Sequence, residues 1–199
     1  WENTRKPEGL GGKLMVSLMN LGHSPVAWWG LRFLNVAPDA KVLDCGCGGG
    51  ANIKRLLKKC PQGIVKGIDY SPVSVEKSQK VNADAIAKGR CTILQGSVAK
   101  RIFAEGWFDA VTAFETVYFW PELPQCFHEI HRMLKPGGMF LICNESSGDT
   151  DKDEKWTKII DGMTIYKDVE LKADLEQAGF RDVQIHKNKW GWLCVTARK

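Results

Sequence analysis

The chain has 199 residues, 44% of them hydrophobic and 26% charged. Those values fit one soluble globular domain, or a domain with a small cap, and argue against an intrinsically disordered, collagenous or membrane-barrel chain. No run reaches the ~20 apolar residues of a membrane helix, and a net charge of +5, scattered along the chain, names no polyanionic partner.

In chain order, the first stretch, Trp1 to Gly12, is polar and lacks the apolar core of a signal peptide, so a cytoplasmic location is expected. Leu14–Leu21 and Ser24–Leu34 read as amphipathic helices, making residues 1–36 a helical N-terminal cap ahead of a domain at 37–199. Short apolar runs then alternate with amphipathic ones, the pattern of a wound α/β sheet. Strands are predicted at Lys41–Cys45, Gly63–Asp69, Thr92–Gln95, Phe108–Phe114 and Met139–Asn144. The helices between them are Ala51–Lys59, Pro72–Lys88, with Ser71 as its cap and Pro72 at its first position, and Glu122–Leu134. Ser146–Lys155 is the most polar segment and reads as a mobile loop. Val169–Ala178 reads as a helix stopped by Gly179. The last runs, Asp182–Lys187 and Trp192–Ala197, lie too close together for a crossover helix, so they must form an antiparallel hairpin. The expected architecture is a Rossmann-like, doubly wound, seven-stranded sheet, mostly parallel, with a C-terminal antiparallel hairpin.

Seven cysteines are present. None forms a C-x-x-C pair and several sit inside apolar runs, which reads as buried reduced thiols rather than a disulfide framework. Cys45-x-Cys47 lacks the second pair that a metal site needs, so no metal is expected.

The strongest chemical signal is Val42-Leu43-Asp44-Cys45-Gly46-Cys47-Gly48-Gly49-Gly50, an apolar strand running into D-x-G-x-G-x-G with a helix directly behind. Glycines let the backbone turn sharply and let a ligand approach the main chain. A pyrophosphate loop has the spacing G-x-G-x-x-G. Here the spacing differs and a carboxylate precedes the first Gly, which suits a ligand carrying an ammonium group. Asp69 ends the second strand about 20 residues beyond the loop, where an acidic residue accepts both hydroxyls of a ribose. Tyr70 beside it can lie against an adenine face.

These residues resemble the class I S-adenosylmethionine-dependent methyltransferases, particularly the small type 11 domain group. The likeness runs from about Ala37 to Lys199. Besides Asp44–Gly50 and Asp69 it takes in Phe108-Asp109-Ala110-Val111, Leu134-Lys135-Pro136-Gly137-Gly138 and Ala178-Gly179-Phe180. The resemblance implies S-adenosyl-L-methionine as cofactor, with S-adenosyl-L-homocysteine as product. It implies that Gly46, Cys47, Gly48 and Gly50 hold the methionine part, with Asp44 facing its amino group and Asp69 holding the ribose. Many members carry an acidic residue after strand three for the adenine amino group. This chain has Gly96-Ser97-Val98 there, leaving adenine to backbone amides and the Ser97 hydroxyl. Phe114, at the end of strand four, completes the expected cofactor set.

Methyl transfer from a sulfonium is an in-line displacement, so the enzyme's task is to align a nucleophile and exclude water. A general base is needed only where the acceptor loses a proton. Glu115, Tyr118 and His23 are the candidate catalytic groups, although Glu115 also reads as a helix N-terminal charge and His23 as an inter-helix turn residue. Trp28, Trp29 and Trp120, with Tyr118, are candidates for an aromatic wall around a flat or cationic acceptor, and Glu145 is a further acceptor-side candidate. The segment after strand four lacks the Asn-Pro-Pro-Tyr pattern used on planar amides and base amines. With no basic-aromatic stripe, a small-molecule acceptor is expected, without nucleic acid or membrane as partner. A protein or RNA methyltransferase working with a partner subunit, and a cofactor-holding scaffold without turnover, are the alternatives. A nicotinamide dehydrogenase is disfavoured by Asp44 and the terminal hairpin.

Overall fold

The computed structural model describes residues 24–149, 151–160 and 162–199. The expected cap helix at Leu14–Leu21 and His23 lie outside the described residues. Seven strands form one sheet: β1 Lys41–Cys45, β2 Ile64–Asp69, β3 Cys91–Gln95, β4 Phe108–Phe114, β5 Leu134–Asn144, β6 Arg181–Lys187 and β7 Leu193–Arg198, in the order β3-β2-β1-β4-β5-β7-β6. The first five pair in parallel, while β7 runs antiparallel to both β5 and β6. The strand order reverses at β1, so the carboxyl ends of β1 and β4 open a crevice between them, the place where open α/β sheets bind ligands.

Helices cover both faces. The short α1 (Ser24–Gly30), α2 (Ala51–Lys59), α3 (Pro72–Val81) and α4 (Ala83–Ala87) precede β4; α5 (Leu123–Met133), α6 (Asp151–Ile159) and α7 (Asp168–Gln177) follow it. The central strands are buried on both sides, so their residues alternate between two cores. Leu43, Cys45, Val111, Phe140 and Ile142 belong to the core that α5 and α7 cover. Val42, Cys47, Ala110, Leu141 and Cys143 belong to the one under α1 and α2. Cys45 and Cys47 thus face different cores, and all seven cysteines are free and buried.

Three elements depart from the sequence expectation. The helix from Ser24 stops at Gly30 because it presses onto β5. A Cβ at Gly30 would stand 2.5 Å from Cys143 Sγ, an approach only glycine permits. The long helix predicted at Pro72–Lys88 breaks at Asn82, whose side-chain amide donates to Gly50 O at 3.1 Å and Ser78 O at 2.9 Å. The polar stretch expected as a loop is helical from Asp151, with Lys158 in its last turn, a charge that complements the helix dipole. His131, on α5, packs edge-on against Phe180 with ring centroids 5.0 Å apart. Among the described residues no helix is long and apolar enough to cross a membrane.

Candidate functional site

Asp44, the penultimate residue of β1, is fully buried. Its Oδ1 accepts a hydrogen bond of 2.7 Å from Thr112 Oγ1, the residue in register with it on β4. The chain then leaves the strand through the glycine loop. The N–H groups of Gly46 and Cys47 both donate to Ile68 O, at 2.8 and 3.0 Å, which pins the loop to the end of β2. Gly46 has φ 72, and a Cβ there would fall 1.9 Å from Thr116 Oγ1. Backbone conformation and close approach each demand glycine. Gly46→Ala is therefore expected to destabilise the fold by about 2 kcal/mol or more; an unchanged thermal midpoint would contradict this.

Gly48 differs from Gly46. Its N–H donates to Asp69 Oδ2 at 2.9 Å, while a Cβ there would meet nothing within 4 Å, so the loop faces open space at this point. Gly50, at the start of α2, is held from behind by Asn82. Asp69 Oδ1 accepts from Ser71 N at 2.9 Å, and Asp69 O accepts from Gly96 N at 2.9 Å. The loop, the tip of β2 and the turn after β3 are thus bonded into one rim. Tyr70 is exposed on that rim, Ser97 Oγ accepts from Ala99 N at 3.4 Å, and Val98 is buried beneath.

The rim carries unusual electrostatics. Burial lifts the Asp44 carboxyl to about 7; the hydrogen bond from Thr112 and the Arg55 guanidinium oppose the rise, and the neighbouring Asp69 charge adds to it. Burial also raises Asp69, against the two backbone N–H groups from Ser71 and Gly48 that favour its ionised form. Two carboxylates held away from water beside an open glycine loop make a receptor for a group bearing a cation and hydroxyls.

A second cluster sits at the ends of β4 and β5. Glu115 follows β4 with φ 56, a left-handed conformation costly for a residue with a side chain and characteristic of functional turns. Its N–H donates to Cys143 O at 3.0 Å, and its Oε1 accepts from the N–H of Glu145. Burial and the Glu145 charge push the Glu115 carboxyl well above the usual range, and burial raises Glu145 too. The buried Tyr118 hydroxyl accepts from Ser146 N at 3.0 Å. Burial and the Glu115 charge raise its phenol. Thr116 joins the two clusters, standing over Gly46 and accepting 3.1 Å from Trp120 Nε1.

The structure thus brings Asp44, Gly46, Cys47, Gly48, Gly50, Asp69, Tyr70, Gly96, Ser97 and Val98 together at the ends of β1, β2 and β3, with Glu115, Tyr118 and Glu145 at the ends of β4 and β5, while the Phe114 ring turns into the core under α1, beside Gly30. It does not bring together the aromatic wall. Trp120 is packed into the core against Phe127 and Phe140. Trp28 and Trp29 lie on α1, across the sheet, where Trp29 meets Phe33 and Trp192. Sequence reasoning passed over Thr112, Thr116, Asn82 and Asn144. Thr112 is the one polar residue in the run Ala110–Phe114, a signal that could have flagged it. Asn144 is fully buried at the end of β5, and its side-chain N and O have no hydrogen-bond partner among the described residues.

With this geometry in hand, comparison with known proteins is informative. A family model described as a methyltransferase domain matches residues 43–142, just over half of the chain. Cycloartenol-C-24-methyltransferase of Arabidopsis thaliana is 30% identical over 159 residues, covering 74% of this chain and 46% of that protein. The chain spans less than half the length of the curated relatives it matches. Among solved structures, a SAM-dependent methyltransferase from Aquifex aeolicus superposes with a TM-score of 0.78 at 19% identity, covering 94% of this chain and 97% of that one. The Haloferax volcanii complex between the Trm112 methyltransferase activator and a putative methyltransferase gives a TM-score of 0.85 at 20% identity, covering 94% and 93%. At those identities the structural likeness establishes the fold.

Proposed function

Since the chain belongs to the methyltransferase-domain family, we propose that it moves a methyl group from S-adenosylmethionine to a small lipophilic acceptor. The observation that carries this reading is the rim on which Asp44, the glycine loop and Asp69 converge. Its residues fit the cofactor. Asp69 accepts from the ribose hydroxyls, and the open space at Gly48 admits the methionine part against the main chain. Asp44 faces the amino group, and Tyr70 and Ser97 flank the adenine. When bound, the cofactor supplies an electrophilic methyl on a sulfonium.

The protein's own contribution is alignment and proton handling. Thr116 stands over the glycine loop just beyond the end of β4. The Glu115 carboxyl, fixed by the Glu145 N–H at the end of β5, is the group that takes a proton from an acceptor that must lose one. The 30% identity to a sterol methyltransferase supports a flat, apolar acceptor.

The test is a pair of measurements. Calorimetric titration with S-adenosylmethionine should give binding, and release of S-adenosylhomocysteine should be detected with a panel of acceptors that includes cycloartenol. In Glu115→Gln, turnover is expected to fall about a hundredfold with cofactor affinity unchanged. Binding without turnover on any acceptor would favour the scaffold reading. Full activity in Glu115→Gln would remove the base.

A further inference from the structure

On the sheet face away from Trp120, the aromatic side chains that form no part of the crevice make one continuous belt. Trp190 lies 5.3 Å from Trp192, Trp192 lies 6.0 Å from Trp29, and Trp29 lies 5.3 Å from Phe33, ring centroid to centroid. The belt joins the β6–β7 turn to α1; its outer end, Trp190, is 65% exposed, and Trp28, next to Trp29 on α1, is 58% exposed. Large apolar side chains at such exposure need a partner or carry a cost in solubility. Phe33 closes the belt at its other end, stacked on His186 at 4.0 Å.

In the described segments that carry the belt and flank it, the charges have one sign. Residues 24–36 carry Arg32 and no carboxylate, and residues 188–193 carry Lys189 and no carboxylate. Residues 51–59 of α2, tied to α1 by the 2.6 Å bond from Arg55 to Ser24 Oγ, carry Lys54, Arg55, Lys58 and Lys59, again with no carboxylate. Two of these cations lie over the exposed rings, Arg55 over Trp28 at 5.5 Å and Lys189 over Trp190 at 5.0 Å. Lys187, at the base of the hairpin, is instead held by Asp149 and Asp168, outside the belt.

We propose that this belt docks the protein on an anionic lipid bilayer. Trp rings settle at the level of the headgroups, where one edge is apolar and the other wet, and flanking Lys and Arg reach the phosphates. Nucleic acid also attracts cations, but it requires a groove that tracks a backbone with bases stacked along it. Here the exposed rings sit on a helix and a hairpin turn, two separate elements of the chain. The inference gives a purpose to the proposed lipophilic acceptor and rests on that reading for its biology. Its measurement involves neither acceptor nor turnover.

The experiment is co-sedimentation of the 199-residue chain with phosphatidylcholine vesicles, with and without phosphatidylglycerol. The native chain should pellet with phosphatidylglycerol-containing vesicles and release on raising salt. Trp28→Ala/Trp190→Ala and Lys54→Glu/Lys58→Glu should each partition at least about tenfold more weakly. These positions are at the surface, so both variants should keep native thermal midpoints and native S-adenosylmethionine titrations. Failure of the cofactor titration in the native chain would therefore strike the proposed function and leave the docking result standing. A native chain that stays in the supernatant, or a Trp variant that pellets like native, overturns the proposal. So does displacement from vesicles by single-stranded RNA together with tight RNA binding.

Discussion

Asp69→Ala is expected to weaken S-adenosylmethionine at least about a hundredfold, the largest single loss at this site. Two ribose hydroxyls each donate to an ionised carboxylate, and such bonds are worth ~1.5–3 kcal/mol apiece, with ~1.4 kcal/mol to each factor of ten. Two bonds at the lower bound already give the stated loss. The substitution also removes the acceptor for the Gly48 and Ser71 N–H groups, so the rim loosens where the ligand must sit. Calorimetric titration with S-adenosylmethionine and S-adenosylhomocysteine measures the effect. Asp69→Asn separates its parts, because the amide oxygen still accepts from one N–H while the charge is gone. An affinity for the Ala variant within about threefold of native would take Asp69 out of the site.

Asp44→Asn should move stability and binding in opposite directions. With its carboxyl lifted from 3.8 to about 7 in the folded chain, Asp44 binds a proton more tightly folded than unfolded. Its contribution is fully favourable below about pH 4 and is lost as pH rises through about 7, with a ceiling of ~4 kcal/mol for a shift of that size. Asn carries no proton to lose. At pH 8 the variant should unfold at a higher temperature than native, and at pH 4 the difference should vanish. Cofactor binding should run the other way. An ammonium ligand favours the ionised carboxylate, so native affinity rises with pH through about 7, whereas the Asn variant is weaker and lacks this step. Thermal unfolding and cofactor titration from pH 5 to pH 8 check both. A native stability independent of pH across that interval would refute the buried-charge account.

Much of this site could be read before any coordinates. The D-x-G-x-G-x-G loop and Asp69 are local signals, since strand, turn and helix succeed one another within a few residues and each constrains its neighbours. The hairpin was legible for the same reason, because a short gap permits one topology. What escaped notice depends on pairing across the sheet. Thr112 supports Asp44 through β1–β4 register, 68 residues away in sequence. Asn82 breaks a helix that its own periodicity favours, because its amide bonds better to Gly50 O than any continuation of the helix would. The aromatic wall failed on faces. Tyr118 and Trp120 follow β4 on one side of the sheet while α1 crosses the other, and a tryptophan's sequence neighbours do not reveal which side it will occupy.

The position of β7 between β5 and β6 sets the timetable of assembly. β6 reaches the sheet only by way of β7, and of the seven strands β7 is the last to be synthesised. Until Leu193–Arg198 has emerged, β5 must wait with one edge open, the apolar run Met139–Cys143 exposing its backbone to whatever strand comes first. Asp44, the glycine loop and Asp69 are all made earlier, yet Glu145 and Ser146 hang from the end of that waiting strand. The glycine-loop rim is therefore complete in a nascent chain well before the cluster at the ends of β4 and β5, which settles only once β7 has zipped into the sheet between β5 and β6.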